Sequence, residues 1–399
     1  MALLPVDEAR ARVMAAFSAL PAEQVSVADA LGRVLAEDVR ARVTQPPAAV
    51  SAMDGYAVRA ADVAAPPATL TVIGEAPAGG ACDAVVGAGQ AVRIFTGGPL
   101  PDGADAIVIQ EDTEAGDGVV TVKAAVAEGN YIRPAGLDFT AGDVGLAAGR
   151  RITARDVGLA AAMNVPWLAV HRRPRVALLA TGDEIVRPGD PIGPNQIVSS
   201  NTLALAALVK EAGGDATDLG IARDNEDSLR RMAAGAERAD VLVTSGGASV
   251  GDHDLVQAVL GKAGLELDFW RIAMRPGKPL LFGRIRGTPL IGVPGNPVSS
   301  LVCGLLFLKP AIDVMLGLAA TTTPAETALL GRDLGANDQR QDYLRARLER
   351  RDDGELVATP FEKQDSAMLS SLVAAGCLVV RAPHAPPAEA GARVEIVRF

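Results

Sequence analysis

Residues 240–254 read Asp-Val-Leu-Val-Thr-Ser-Gly-Gly-Ala-Ser-Val-Gly-Asp-His-Asp. The apolar run Val241–Val243 leads into a glycine turn, and residues 252–262 carry the pattern of a helix start and body. Strand, glycine loop and helix form the arrangement in which backbone N–H groups and a helix N-terminus face an incoming anion. The turn offers Ser245, Gly246, Gly247 and Ser249 as ligand-facing residues. Asp252 and Asp254 at the same point repel an anion, and a divalent cation between carboxylate and phosphate resolves that clash. An ordinary strand–helix turn capped by Ser249 or Asp252 accounts for the same residues.

Outward from this stretch, short apolar strands alternate with helical segments. Val176–Ala180 reads as a strand, Asn201–Ala212 as a helix after a Ser/Asn cap, and Asp215–Ile221 as a strand. Glu226–Ala236 reads as a helix with Asp224 as N-cap and Asp227 at the capping-box position. Such alternation predicts βαβ units and a largely parallel sheet. From Leu267 the pattern turns to short strands, Leu267–Met274, Pro279–Gly283 and Thr288–Val293. The last runs into Gly295-Asn296-Pro297 and a long apolar helix.

The flanks differ. Residues 5–19 have an amphipathic helical pattern. Between about 42 and 141, runs such as Thr69–Val72, Ala91–Phe95, Ala106–Ile109 and Gly118–Val122 alternate with Gly/Pro/Asp turns, the signature of a small β-rich domain. A helix at Thr153–Met163 and a strand at Trp167–His171 return the chain to the main body. Residues 319–328 are Ala/Thr/Pro-rich and read as a linker, followed by strand-like runs at 343–348, 355–359, 378–380 and 393–397. The expected fold is α/β plus β-rich. It divides into an α/β domain (1–21 and 173–321), a linking domain (22–41 and 142–172), an inserted β-rich domain (42–141) and a C-terminal β domain (322–399).

Composition narrows the chemistry. A formal charge of −10 and 3% aromatic residues argue against a nucleic-acid partner, which wants a cationic field and stacking platforms. Three scattered cysteines form no metal or disulfide pattern, and three histidines are too few for a histidine-rich metal centre. Any metal is expected to be a hard ion held by oxygen. Val298–Leu318 approaches a membrane-span length but is interrupted by Ser299, Ser300, Lys309, Pro310 and Asp313, so it reads as a buried helix. Acidic and basic residues at 7–12 do not resemble a signal peptide. No membrane partner and a cytoplasmic location are expected.

In open parallel sheets, ligands bind outside the carboxyl ends of the strands. Three loops fall there: Thr181-Gly182-Asp183-Glu184, Thr244–Asp254, and Val293-Pro294-Gly295-Asn296-Pro297. Between the last two sits Arg275-Pro276-Gly277-Lys278-Pro279, whose Lys278 is one of only six lysines. The set suits a polyanionic ligand, with Glu184 and Asp252 or Asp254 on magnesium and Arg275, Lys278 and glycine amides on oxyanions. Lys278 as a solvated surface residue, Asp54-Gly55 as a plain turn, and Cys303 as core are the simpler readings of those positions. Arg133 and Asp138 either pair across their bend or face a ligand.

The motifs together resemble the molybdopterin molybdenumtransferase family, represented also by the C-terminal domain of gephyrin. The matching stretches are SAMDGYAVR (51–59), RIFTGGPLP (93–101), TGDE (181–184), SGGASVG (245–251), RPGKP (275–279) and PGNP (294–297). They cover nearly the whole chain. The resemblance implies insertion of molybdenum from molybdate into adenylated molybdopterin, with release of AMP and a requirement for Mg2+ or a similar ion. It implies an elongated homodimer of four-domain subunits, with the cleft between the parallel-sheet domain of one and the β-rich domain of the other. It further implies transient contact with molybdopterin adenylyltransferase and with proteins that handle the finished cofactor. By the same resemblance Asp54, Thr96, Asp138 and Asp224 are catalytic, and Glu184 and Asp254 hold the metal. Arg275, Lys278, Pro294, Gly295, Asn296 and Pro297 bind substrate with the 245–249 turn, as do Ser366 and Ser370 from the tail. Arg275 stands where the family often has lysine, which is expected to alter anion affinity.

Two rivals remain at this point. Molybdopterin adenylyltransferase shares the α/β core but would lack the β-rich flanks, and a gephyrin-like scaffold would bind peptides without chemistry. A nicotinamide dehydrogenase fits poorly, because no GxGxxG follows the first α/β strand.

Overall fold

The structure is a computed structural model and describes residues 3–80, 82–246, 261, 264–318 and 326–399. The helix expected at 252–263 and the residues Gly247, Ser249, Asp252, His253 and Asp254 lie outside the described residues. The chain forms two compact units, one of residues 1–23, 32–36 and 170–399, the other of residues 24–31 and 37–169.

The larger unit is built on a six-stranded sheet in the order Asp215–Ala222, Arg175–Thr181, Val241–Ser245, Thr288–Val293, Leu281–Ile285, Leu265–Trp270. The first four strands are mutually parallel, Leu281–Ile285 pairs antiparallel with Thr288–Val293, and Leu265–Trp270 pairs antiparallel with Leu281–Ile285. Burial on both faces explains the unbroken apolar runs. Val176, Leu178, Val241, Val243 and Ile291 enter one core with the helices Val6–Ala15 and Asn201–Ala212 and the long helix from Pro297. Ala177, Leu179, Leu242 and Leu290 enter the other, against Leu229 and Ala233 of the helix Glu226–Ala233. At the entry edge, the Arg172 guanidinium grips both oxygens of Asp240 at 2.7 and 2.6 Å.

The long apolar helix, Pro297–Met315, is the one described helix long and apolar enough to cross a membrane. Here 72% of it is buried inside the protein, as a core helix. A π-helical turn, Gly304–Leu308, interrupts it. Cys303 is fully buried within it, and burial holds its thiol far above the usual range.

The C-terminal strands Gln341–Arg350, Leu356–Pro360, Glu326–Leu330, Arg393–Arg398 and Cys377–Arg381 pair in that order. The last returns to the first, closing a five-stranded ring. Met274–Arg275 joins this ring in parallel with Gln341–Asp342. Two expectations need correction here. Leu267–Met274 is not one strand but breaks after Trp270, because its end pairs with a different sheet. The linker expected to reach 328 gives way at Glu326, where alternation along Glu-Thr-Ala-Leu-Leu buries Ala328 and Leu330.

The smaller unit holds a six-stranded sheet ordered Ala106–Ile109, Gly55–Val58, Gln90–Ile94, Ala68–Ala76, Val119–Val122, Thr113–Ala115. The helix Ala154–Ala162 opens on a capping box between Thr153 and Asp156.

Candidate functional site

A cavity of about 390 Å³ opens at the carboxyl ends of three parallel strands of the larger unit. Its walls include Thr181, Glu184, residues 197–201, Ser245, Gly246, Pro279 and the whole Pro294–Pro297 turn. Thus Glu184, Ser245, Gly246, Pro294, Gly295, Asn296 and Pro297 are brought together. Parallel strands end on one edge, so loops distant in sequence share a wall.

One side chain joins three of these loops. Asn201 Nδ2 donates to Ser245 Oγ at 2.9 Å and to the Gly295 carbonyl at 2.7 Å. Asn201 reads locally as part of a helix cap, and Ser200 does take the N-cap position without a side-chain cap bond. The Asn201 amide is instead used across the cleft, a role that nothing in its immediate sequence signals. Gly246 adopts φ +95°, and a Cβ there would collide with the Thr181 carbonyl, so the turn accepts only glycine. The Thr181 hydroxyl is buried with no hydrogen-bond partner among the described residues, leaving an unused polar group in the cavity wall.

The acidic side is built by Gly182, Asp183, Glu184 and Asp224. The Glu184 carboxylate folds back over Gly182, where a Cβ would stand 2.8 Å from its Cδ. Asp224 N donates to Asp183 Oδ1 at 3.3 Å. Desolvation, then the charges of Asp183 and Glu184, hold the Asp224 carboxyl above its ordinary value. Asp224 is not the helix cap expected from sequence. Asn225 is, accepting from Ser228 N at 2.9 Å, because its side chain stands one residue nearer the first helical turn. Oxygen donors crowded this way suit a hard cation in type. Among the described residues no three or more such side chains are arranged as a metal site, and Asp254 lies outside them.

The tail meets the same edge. Asn296 Nδ2 donates to Ser366 Oγ at 2.8 Å, and Val298 N donates to the Ser366 carbonyl at 3.1 Å. The segment carrying Ser366 is held by buried Arg345, which reaches Gln364 Oε1 at 3.2 Å and the Met368 carbonyl at 3.1 Å. Ser370 lies exposed on the short helix Leu369–Val373 and does not line the cavity. Lys278 is half-buried beside Pro279 and has no partner among the described residues. Arg275 stands apart from the cavity, its guanidinium on Asp342, Asn337 and Asp338.

In the smaller unit, Asp54 Oδ1 accepts from Thr96 N at 2.7 Å and Thr96 Oγ1 at 2.8 Å. These two bonds, with the Arg93 charge, hold the Asp54 carboxyl below its ordinary value. Arg93 lies over the rings of Tyr56 and Phe95, 5.1 and 5.0 Å from their centroids. It also donates to the Gly55 carbonyl at 3.2 Å. SAMDGY and TGGP are stitched together by Gly97 N to Ser51 O and Ser51 N to Gly98 O, each 2.9 Å. Gly55 opens a strand, and its missing Cβ makes room for the Val108 carbonyl. Asp138 is exposed, with no hydrogen bond to Asp54 or Thr96 and no ion pair with Arg133 among the described residues.

The chain matches the models for the MoeA N-terminal region (domain I and II) over residues 4–164, for a probable molybdopterin binding domain over 177–314, and for the MoeA C-terminal region (domain IV) over 327–399. The molybdopterin molybdenumtransferase of Haemophilus influenzae is 32% identical, covering 100% of this chain and 99% of that protein. That of Bacillus subtilis is 34% identical over 99% of this chain and 94% of its own. The crystal structure of a molybdopterin biosynthesis MoeA protein from Pyrococcus horikoshii superposes with a TM-score of 0.86. It has 33% identity and covers 100% of this chain and 99% of that one. The chain belongs to the molybdopterin molybdenumtransferase family, the MoeA proteins of molybdenum cofactor biosynthesis.

Proposed function

We propose that this chain transfers molybdenum from molybdate to adenylated molybdopterin, with hydrolysis of the phosphoanhydride and release of AMP. The observation that carries the reading is the cavity where Glu184, the Ser245-Gly246 turn and the Pro294–Pro297 turn share one wall, tied by Asn201. Molybdate is a tetrahedral dianion and the nucleotide carries a pyrophosphate, so both want cations and N–H donors beside carboxylates that accept a bridging metal.

In this reading the Gly246 turn and the N-terminus of the helix from Pro297 face the ligand phosphates, and Lys278 contributes a cation. Glu184 and Asp254 are the residues that would hold Mg2+, with Asp224 placed near it. The ion would neutralise charge on the phosphoryl oxygens during anhydride cleavage. Asp54, fixed by Thr96 as an ionised carboxylate, is suited to orient a water or a substrate hydroxyl, and Asp138 belongs to the same proposal. Ser366 holds Asn296, and Ser370 is assigned a contact to the bound ligand. The pterin brings its own dithiolene sulfurs, so the buried thiols of Cys303 and Cys377 need not act.

The functional assembly in this proposal is a homodimer, measurable by sedimentation. It works in the cytoplasm, receives its substrate from a molybdopterin adenylyltransferase and passes product to cofactor-handling proteins. The deciding experiment supplies adenylated molybdopterin with and without molybdate and measures AMP. Release that depends on molybdate and falls at least tenfold in Glu184→Ala supports the proposal. Consumption of ATP and free molybdopterin instead would mark an adenylyltransferase, and no turnover of either would mark a scaffold.

A further inference from the structure

The geometry points to Arg275 as a positioning residue, not an anion ligand. Its pairing with Asp342 on the C-terminal ring fixes the turn that presents Lys278 to the cavity. The inference rests on the proposed anion-binding role of that cavity.

Every described polar contact of the Arg275 guanidinium lies on the C-terminal part. Nη2 meets the Asp342 carboxylate and Asn337 Oδ1 at 3.3 Å, and Nη1 meets Asp338 Oδ2 at 3.4 Å. The Asp342 side chain is only 4% exposed, whereas that of Arg275 is 46% exposed. A buried carboxylate stripped of its cation is strongly destabilised, so this pair resists being opened for a passing ligand. The backbone agrees: Arg275 aligns with Asp342 in a parallel pairing, and Gln341 N donates to the Ala273 carbonyl at 2.8 Å.

The rest of the turn is fixed from the other side. Ile272 N donates to the Lys278 carbonyl at 2.9 Å, closing the loop on itself. Gly277 sits at φ +114° against the long helix, where a Cβ would stand 2.7 Å from Cys303 Sγ. With one corner on the ring and the other on the core, Lys278 is the cation of this turn whose side chain has no partner among the described residues. Its chain neighbour Pro279 lines the cavity wall.

A direct anion ligand and a positioning residue give opposite signs on removing the carboxylate. Asp342→Asn frees the guanidinium and deletes a competing negative charge. If Arg275 binds the anion, molybdate affinity then holds or rises. If Arg275 positions the turn, molybdate-dependent AMP release in Asp342→Asn falls about tenfold through KM for molybdate, Arg275→Gln falls at least as far because it leaves the Asp342 carboxylate without its cation, and the double variant falls no further than Arg275→Gln. Arg275→Lys is expected between wild type and Arg275→Gln, because lysine keeps one of the contacts. Hydrogen exchange at the Ile272 amide gives a readout free of turnover, expected to quicken about tenfold in Asp342→Asn and not in Lys278→Gln. Unchanged exchange at Ile272, or losses from Arg275→Gln and Asp342→Asn that multiply, would overturn the inference. Absence of molybdate-dependent release in the wild type would sink the functional reading alone, with the exchange measurement still deciding this one.

Discussion

Asn201 and Ser245, which open one helix and close one strand, are joined by a 2.9 Å bond from Nδ2 to Oγ. The same amide reaches the Gly295 carbonyl at 2.7 Å. One residue therefore holds the mouths of two glycine turns at a fixed separation.

Asn201→Ala removes both bonds. The expected stability loss is about 1–2 kcal/mol, the usual worth of two neutral hydrogen bonds, read by urea denaturation. AMP release is expected to fall about tenfold or more, because a loosened turn forfeits oriented N–H donors. Ser245→Ala keeps the Gly295 bond and should lose less. Equal effects from the two variants would show that the Gly295 bond contributes nothing.

Gly55→Ala places a methyl group against the Val108 carbonyl inside a central strand pairing. Neither strand can retreat without breaking the sheet, so the expected cost is about 2–4 kcal/mol. Limited proteolysis should show the damage in residues 37–169 while the larger unit stays resistant. A variant as stable as wild type would mean that the strand pair relaxes freely.

Thr96 holds Asp54 ionised. A carboxyl whose folded value is depressed contributes stability above the unfolded value and loses it as pH falls through the folded one. Asp54 is therefore charged throughout the neutral range and should add no limb to the pH–rate profile there. Thr96→Val deletes the hydroxyl bond and keeps the backbone donor, so the Asp54 titration, followed by carboxylate NMR, should move partway up towards the ordinary 3.8.

Asp224 has the opposite sign. Its folded value is raised, so the native chain binds its proton more tightly, and the cost of ionisation grows as pH rises through that value. Asp224→Asn should stabilise the apo protein at neutral pH by about 0.5 kcal/mol, a figure kept small by solvent screening. Well below pH 3.8 the gain should vanish. If Mg2+ binds among these carboxylates, saturating Mg2+ should reverse the ranking in a thermal melt, since the ion favours the full set of charges.

Much of the fold was legible in the chain because it is local. Short apolar runs bounded by turn residues marked strands such as Thr288–Val293 and Ala106–Ile109, and the apolar run after Pro297 marked a core helix. What failed depended on partners distant in sequence. The Leu267–Met274 run looks continuous, yet its end belongs to another sheet, and Glu326 begins a strand only because Arg393–Arg398 lies beside it.

By itself the sequence determined the element types, the glycine turns and the residue chemistry of the site, because backbone preference and hydrophobic period act over a few positions. Only the tertiary structure decided which side chains meet. Asn201 was drawn from a helix start to two remote turns, Asn225 displaced Asp224 as the cap, and Arg275 turned from the cavity to Asp342. A hydrogen bond or ion pair has a reach of a few ångströms, and the fold sets which residues come within it.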